Sequence, residues 1–192
     1  MNKKMLFAAL LAVTAMGVSA QKLSGDLSPL KDQKEVNVVL DFSGTLVNGG
    51  AEDKYIADET KGKTEEDTKQ WLSEWKEKLP SDAFSKLTDD FNNKATGKLF
   101  STGAYKNAEY TIIIKVKDIT TGSYSGPFSK SSGVKTEVSF VKTGETTPFA
   151  TVEYKNSRSG VSGFVPYFVT RIVMSFGSVG DDLFSTISKA LK

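Results

Sequence analysis

Histidine and cysteine are both absent from the 192 residues, so the chemistry open to this chain is that of carboxylates, lysines, tyrosines and serines. Ser-His-Asp hydrolysis and Cys-His catalysis lose their proton carrier, and most zinc sites lose their preferred ligands. The one catalytic-looking string is Val38-Val39-Leu40-Asp41-Phe42-Ser43-Gly44-Thr45-Leu46, in which a carboxylate follows directly on an apolar run. A second acidic pair lies in Val179-Gly180-Asp181-Asp182. Trp71 and Trp75 would offer a stacking surface to a sugar ring if exposed, although an aromatic stripe at helical spacing is more often core. Glu52 to Lys63 is charged and interrupted by glycine, and reads as a solvated loop with a carboxylate-lined cation site as the alternative.

The elements that must position these residues follow from periodicity. Val36, Val38 and Leu40 alternate with Asn37, Val39 and Asp41, a strand apolar on both faces and so central in a sheet. Asn48-Gly49-Gly50 ends it or turns it back. Thr64 and Asp67 have the spacing of a helix cap, Trp71, Leu72, Trp75 and Leu79 follow as a helical stripe, and Pro80 stops that helix. Ser81 and Asp82 start another, with Phe84, Leu87, Phe91 and Ala95 on one face. From Tyr110 the period is two. Three alternating runs, around Ile112 to Val116, Val134 to Phe140 and Phe149 to Tyr154, read as an antiparallel meander. Pro166 then opens a long helix whose stripe of Phe168, Ile172, Phe176, Val179, Leu183, Ile187 and Leu191 is the natural cover for the face formed by Ile112, Ile114, Val138 and Phe140. Gly177 and Gly180 inside it permit close approach to the sheet, since each costs ~1 kcal/mol of helix propensity relative to Ala.

These elements predict a single α+β domain over residues 35–192, preceded by a flexible lead-in at 21–34. Its mixed or antiparallel sheet has about four to five strands packed by two or three helices, in the order strand, helices, strands, helix. The chain before it has the three parts of a cleavable secretory signal: Lys3 and Lys4, an apolar run from Met5 to Met16, and Val18-Ser19-Ala20 as the cleavage site. That run is shorter than the ~18 to 20 residues of a membrane span. Export with cleavage after Ala20 leaves roughly 170 residues, a usual size for one domain. Residues 1–20 contain no acid, so the formal charge of +2 leaves with Lys3 and Lys4 and the mature chain is formally neutral. Its bases alternate with acids, which argues against a nucleic-acid surface.

The string Val38 to Leu46 resembles the first motif of the haloacid dehalogenase superfamily. That resemblance implies a phosphohydrolase with Asp41 as nucleophile, Ser43 standing where the family has its acid–base carboxylate, and Asp181 and Asp182 laid on the late magnesium motif. The superfamily's parallel sheet needs strand and helix to alternate, whereas residues 109–154 hold three strands in succession. Over nearly all of the mature chain, Val39-Leu40-Asp41-Phe42-Ser43, Trp71 to Trp75, Tyr110 to Gly122 and Gly180-Asp181-Asp182-Leu183 are similar to small exported proteins of unknown function from Gram-negative envelopes. The layout also looks like the accessory domains of the curli-secretion and penicillin-binding-protein-activator groups, without their lipidated cysteine. No catalytic, cofactor-binding or metal-binding residue carries over from either group. The expectation is a non-enzymatic periplasmic or secreted domain, without cofactor, that binds an envelope protein or a small ligand and has no membrane span in its mature form; the alternative is the phosphohydrolase using Asp41.

Overall fold

The computed structural model describes residues 23–192, so the signal segment and its cleavage site lie outside the described residues. The strand read at Val36 to Leu40 is β2 (Glu35–Asp41). It follows β1 (Ser24–Gly25) and precedes the two-residue strands β3 (Leu46–Val47) and β4 (Gly50–Ala51). Helices α1 (Glu52–Thr60), α2 (Glu65–Ser73) and α3 (Leu79–Ala95) come next, then β5 (Ser101–Gly103). The meander β6 (Tyr110–Thr120), β7 (Gly133–Lys142) and β8 (Ala150–Ser157) leads to α4 (Phe168–Ala190).

All eight strands join one mixed sheet in the order β1-β8-β7-β6-β2-β5, with β3 beside β6 and β4 beside β3. The sheet is therefore larger than the four to five strands the sequence predicts, and the expected order of strand, helices, strands, helix is wrong. The four extra strands are two or three residues long, too short for an alternating pattern to register. The supposed lead-in supplies one of them: β1 pairs antiparallel with β8, and Leu27 and Leu30 beside it are fully buried. β2 lies between β5 and β6 and runs parallel to both. The meander is antiparallel throughout, with Ile112 opposite Phe140 and Ile114 opposite Val138.

Two further expectations change and one holds. Glu52–Thr60 is helix α1 rather than a loop. It buries no residue fully and so shows no apolar stripe, but Tyr55 packs on Trp75 with ring centroids 5.0 Å apart. Thr64 does cap α2, accepting the Asp67 N–H at 3.1 Å. Pro80 does not stop the helical run of Trp71 to Leu79. A proline inside a helix removes one hydrogen bond and crowds the carbonyl four residues back; here α2 passes into α3 through a π-helical turn, Glu74–Lys78, in which the Leu79 N–H donates to Glu74 O, five residues earlier. The wider turn accommodates the ring.

Helices α3 and α4 pack against each other and cover one face of the sheet, burying Leu87, Phe91, Ile112, Ile114, Val138, Phe140, Ile172, Phe176 and Leu183. Gly180 faces α3 rather than the sheet: a side chain there would run into the backbone carbonyl of Leu87. Among the described residues, the buried Thr136 Oγ1 has no hydrogen-bond partner. An unsatisfied buried hydroxyl costs on the order of 1–3 kcal/mol, so Thr136→Val is expected to raise the urea midpoint, by about 1 kcal/mol of stability. A lower midpoint would contradict this.

Candidate functional site

Asp41 ends β2, and its carboxylate is occupied with local structure. Oδ1 accepts the Ser43 N–H at 2.8 Å and Oδ2 lies 3.9 Å from Lys115 Nζ. The Ser43 hydrogen bonds, helped by Lys115, hold this carboxyl below its ordinary range. Thr45 Oγ1 then reaches both Phe42 O (2.8 Å) and Val116 O (2.9 Å), fastening the turn to β6. Asp181 and Asp182 are engaged elsewhere, on α4: Asp181 pairs with Lys94 of α3 at 2.7 Å, and Asp182 accepts the Ser157 hydroxyl at 2.6 Å. Among the described residues no three acidic groups converge as a metal-binding cluster.

The tryptophans are buried. Trp71 and Trp75 stack nearly parallel (5.6 Å, 9°), with Phe168 of α4 against Trp71 at 5.7 Å, so they form a seam between α2 and α4 rather than a sugar platform. Trp75 Nε1 donates to Glu52 Oε1 at 2.7 Å, and Lys76 Nζ reaches the same oxygen at 2.8 Å. Burial pushes the Glu52 carboxyl up, but the hydrogen bonds from Lys76 and Trp75 and the lysine's charge outweigh it, and the carboxyl titrates below its usual value. Beside this carboxylate is a cavity of about 190 Å³ walled by Phe42, Trp75, Leu79, Pro80 and Ile119. Its lining is mainly apolar, and the facing oxygen of Glu52 is already shared by two donors, so it offers shape and greasy surface rather than a reactive group.

A different feature stands out at the end of the sheet where β6 turns into β7 and β8 enters α4. The β6–β7 connection narrows to a small hairpin closed by Ser123 and Lys130, each donating its N–H to the other's carbonyl at 2.9 Å. The second loop, residues 158–167, contains the 3₁₀ turn Ser162–Phe164. Both carry apolar side chains outward: Phe128 is 80% exposed, Phe164 73%, Val161 58% and Tyr124 53%. Isolated exposed hydrophobes are ordinary; four of them on two joined loops are not.

The loops are joined at their bases by Arg171, which α4 holds with only 6% of its surface exposed. Its Nε donates to Thr121 O at 3.0 Å, and its Nη1 donates to Val165 O at 2.8 Å and Pro166 O at 3.1 Å. The guanidinium thus ties the end of β6 to the segment leading into α4. Ser132 adds a second link: its N–H donates to Ser162 Oγ at 3.1 Å, while its hydroxyl meets Arg171 O and Ser175 Oγ. Thr121 in turn donates its N–H to Asn48 Oδ1 at 3.0 Å. Asn48 and Gly49, both at positive φ, make the two-residue turn between β3 and β4, a conformation that Asn-Gly adopts readily. Arg171→Leu keeps the bulk but orphans three carbonyls; with partial rehydration we expect a loss of about 2 kcal/mol and faster proteolysis within 158–167. Unchanged cleavage would show that the guanidinium is not the tie.

Sequence reasoning missed this site. Arg171 sits in the apolar stretch of α4, and Phe128 and Phe164 look like any aromatic in a Gly/Ser/Pro-rich segment. The available signal was the lack of any acidic residue from Ile119 to Thr136 and from Tyr154 to Gly180.

No known protein family matches the chain, and no curated protein matches it. Among solved structures it is similar to a PelC dodecamer from Paraburkholderia phytofirmans, space group P6, at 10% identity over 82% of this chain and 96% of that one, with a TM-score of 0.38. A single-residue variant of the same dodecamer, space group C2, gives 13% identity, 83% and 95% coverage and a TM-score of 0.37. No helix of the described residues is long and apolar enough to cross a membrane.

Proposed function

We propose that the chain is an exported, non-enzymatic domain of the bacterial envelope that works by holding a partner, and that it does so through the two joined loops at residues 121–132 and 158–167. The observation that carries the reading is the exposure of Phe128 and Phe164, at 80% and 73%, on loops whose bases are anchored by Arg171. Two exposed phenylalanines cost solubility in the free protein. Rigid bases reduce the ordering cost of binding, because the contacting backbone is arranged beforehand. Export is supported by the charged start, apolar run and small-residue site of residues 1–20.

The test is fractionation of the producing cell. The protein is expected in the envelope fraction or the export compartment, with an intact mass that begins at or near Gln21. Phe128→Ser combined with Phe164→Ser is expected to move it from envelope-associated to freely soluble while leaving the urea midpoint unchanged, because neither ring is packed. Retention of the double variant in the envelope fraction would overturn the assignment of the loops, and a species keeping residues 1–20 would overturn cleavage.

A further inference from the structure

We infer that the partner of the loop pair is a lipid surface: Phe128 and Phe164, flanked by Tyr124 and Val161, enter the interfacial layer of an anionic bilayer while Lys130 and Arg158 meet its headgroups. This rests on the partner-binding reading above and names the partner. The first argument is shape. Side chains exposed to 80% and 73% stand clear of their neighbours at the tips of 3₁₀ turns, Gly126–Phe128 and Ser162–Phe164. Protruding tips suit a fluid surface that closes around them, whereas a protein partner would need a matching pocket for each.

The second argument is charge. The chain has 23 acidic residues, yet none falls in Ile119–Thr136 or Tyr154–Gly180, the stretches that contain both loops and the strand ends feeding them. Lys130 and Arg158 are exposed on the loops themselves, whereas Lys135 and Lys155 stand back on β7 and β8, Lys135 opposite Asp118, and Arg171 is turned inward on backbone carbonyls. Aromatic tips on loops that carry basic and no acidic side chains of their own match the two attractions of a peripheral membrane contact. Apolar rings partition into the headgroup–acyl boundary, and Lys and Arg gain electrostatic energy from anionic lipid. The rim is marked by Tyr167, whose hydroxyl is raised in pKa by burial and then by Glu74 and Asp82 of the neighbouring helical run. Those acids bound the patch and favour a shallow seat rather than deep insertion.

The third argument is rigidity. Ser123 and Lys130 close one loop, and Ser132, Ser162 and Arg171 bind it to the other, so both tips are presented together. Two anchors on one rigid base act with a high effective concentration for each other, and losing either should weaken binding by more than its own share.

The experiment uses the chain as recovered from cells, its N-terminus fixed by intact mass, sedimented with vesicles of phosphatidylglycerol and phosphatidylethanolamine and with vesicles of phosphatidylcholine alone. Binding to the anionic vesicles is expected to weaken at least tenfold in the Phe128→Ser, Phe164→Ser double variant, and to fall with added salt as the Lys and Arg attraction is screened. Phe128→Trp reports the seat directly. Its emission should shift to the blue and be quenched by brominated lipid, against a constant background from buried Trp71 and Trp75. A Phe128→Trp emission indifferent to vesicles overturns the lipid assignment. If it is indifferent but the double variant still leaves the envelope fraction, the loops bind a protein and only the partner was named wrongly. Self-association by light scattering that the double variant abolishes, without vesicle binding, likewise overturns the lipid reading in favour of a second copy of this chain. If the double variant changes none of these, the partner-binding reading falls with it.

Discussion

Ile172→Ala is expected to cost about 2–5 kcal/mol, the range for deleting a fully buried branched side chain and leaving a cavity behind. Ile172 has no exposed surface and lies in the same buried cluster as Phe176, Val179 and the inner face of the meander. Its environment cannot collapse easily, since α4 is held at its start by Arg171 and further along by the Tyr154 hydroxyl donating to Thr186 Oγ1 at 3.0 Å. A loss of that size is a large share of the ~5–15 kcal/mol by which a domain is stable. Lys189→Ala, on an exposed position of the same helix, should leave the urea midpoint where it is. Equal small effects would mean that α4 is peripheral.

Gly180→Ala is expected to be nearly as damaging, at about 3 kcal/mol, although it adds a single carbon and improves helix propensity by ~1 kcal/mol. The added Cβ would collide with the carbonyl oxygen of Leu87 and press on Phe91 N at 3.2 Å. Backbone of α3 cannot rotate away as a side chain can, so the two helices must separate and open the core between them. Gly177→Ala is the control. Its new Cβ would meet the Asp90 carboxylate and Lys86 Cε, the ends of side chains in a partly exposed pair that can swing aside. Parallel urea titrations decide the matter: similar midpoints for the two variants would show that helix spacing is not set at Gly180.

Local periodicity was enough to reveal the meander, the Thr64 cap and the buried stripe of α4, because each is a pattern of adjacent residues repeated over several turns or pleats. The alternation of Ile112, Ile114 and Val116 needs only the pleat of a strand, and Thr64 needs only the free N–H groups of a helix start. Charge and composition also belonged to the sequence, including the missing histidines and cysteines that narrow the available chemistry. Asp41, Asp181 and Asp182 were legible as acids but not as neighbours or strangers. Only the fold decides that Asp41 turns on Ser43 while the other two pair with Lys94 and Ser157.

What the tertiary structure decided rests on long-range contacts with no local trace. The strands β1, β3, β4 and β5 are too short to carry a pattern; β1, β3 and β5 exist because a longer strand offers unpaired backbone groups beside them, and β4 because the Asn48-Gly49 turn folds it back on β3. Helix α1 has no stripe because it leans on the tryptophan seam through Tyr55. The helix at Pro80 continues because a π turn widens to admit the ring, and Gly180 contacts α3 because packing of the whole chain brings Leu87 there. The exposure of Phe128 and Phe164 belongs to the same class. An aromatic residue is apolar wherever it stands in a sequence, and whether it is core or contact surface depends on which residues fold around it, here the ring of backbone carbonyls gathered by Arg171 beneath two loops that leave their tips in solvent.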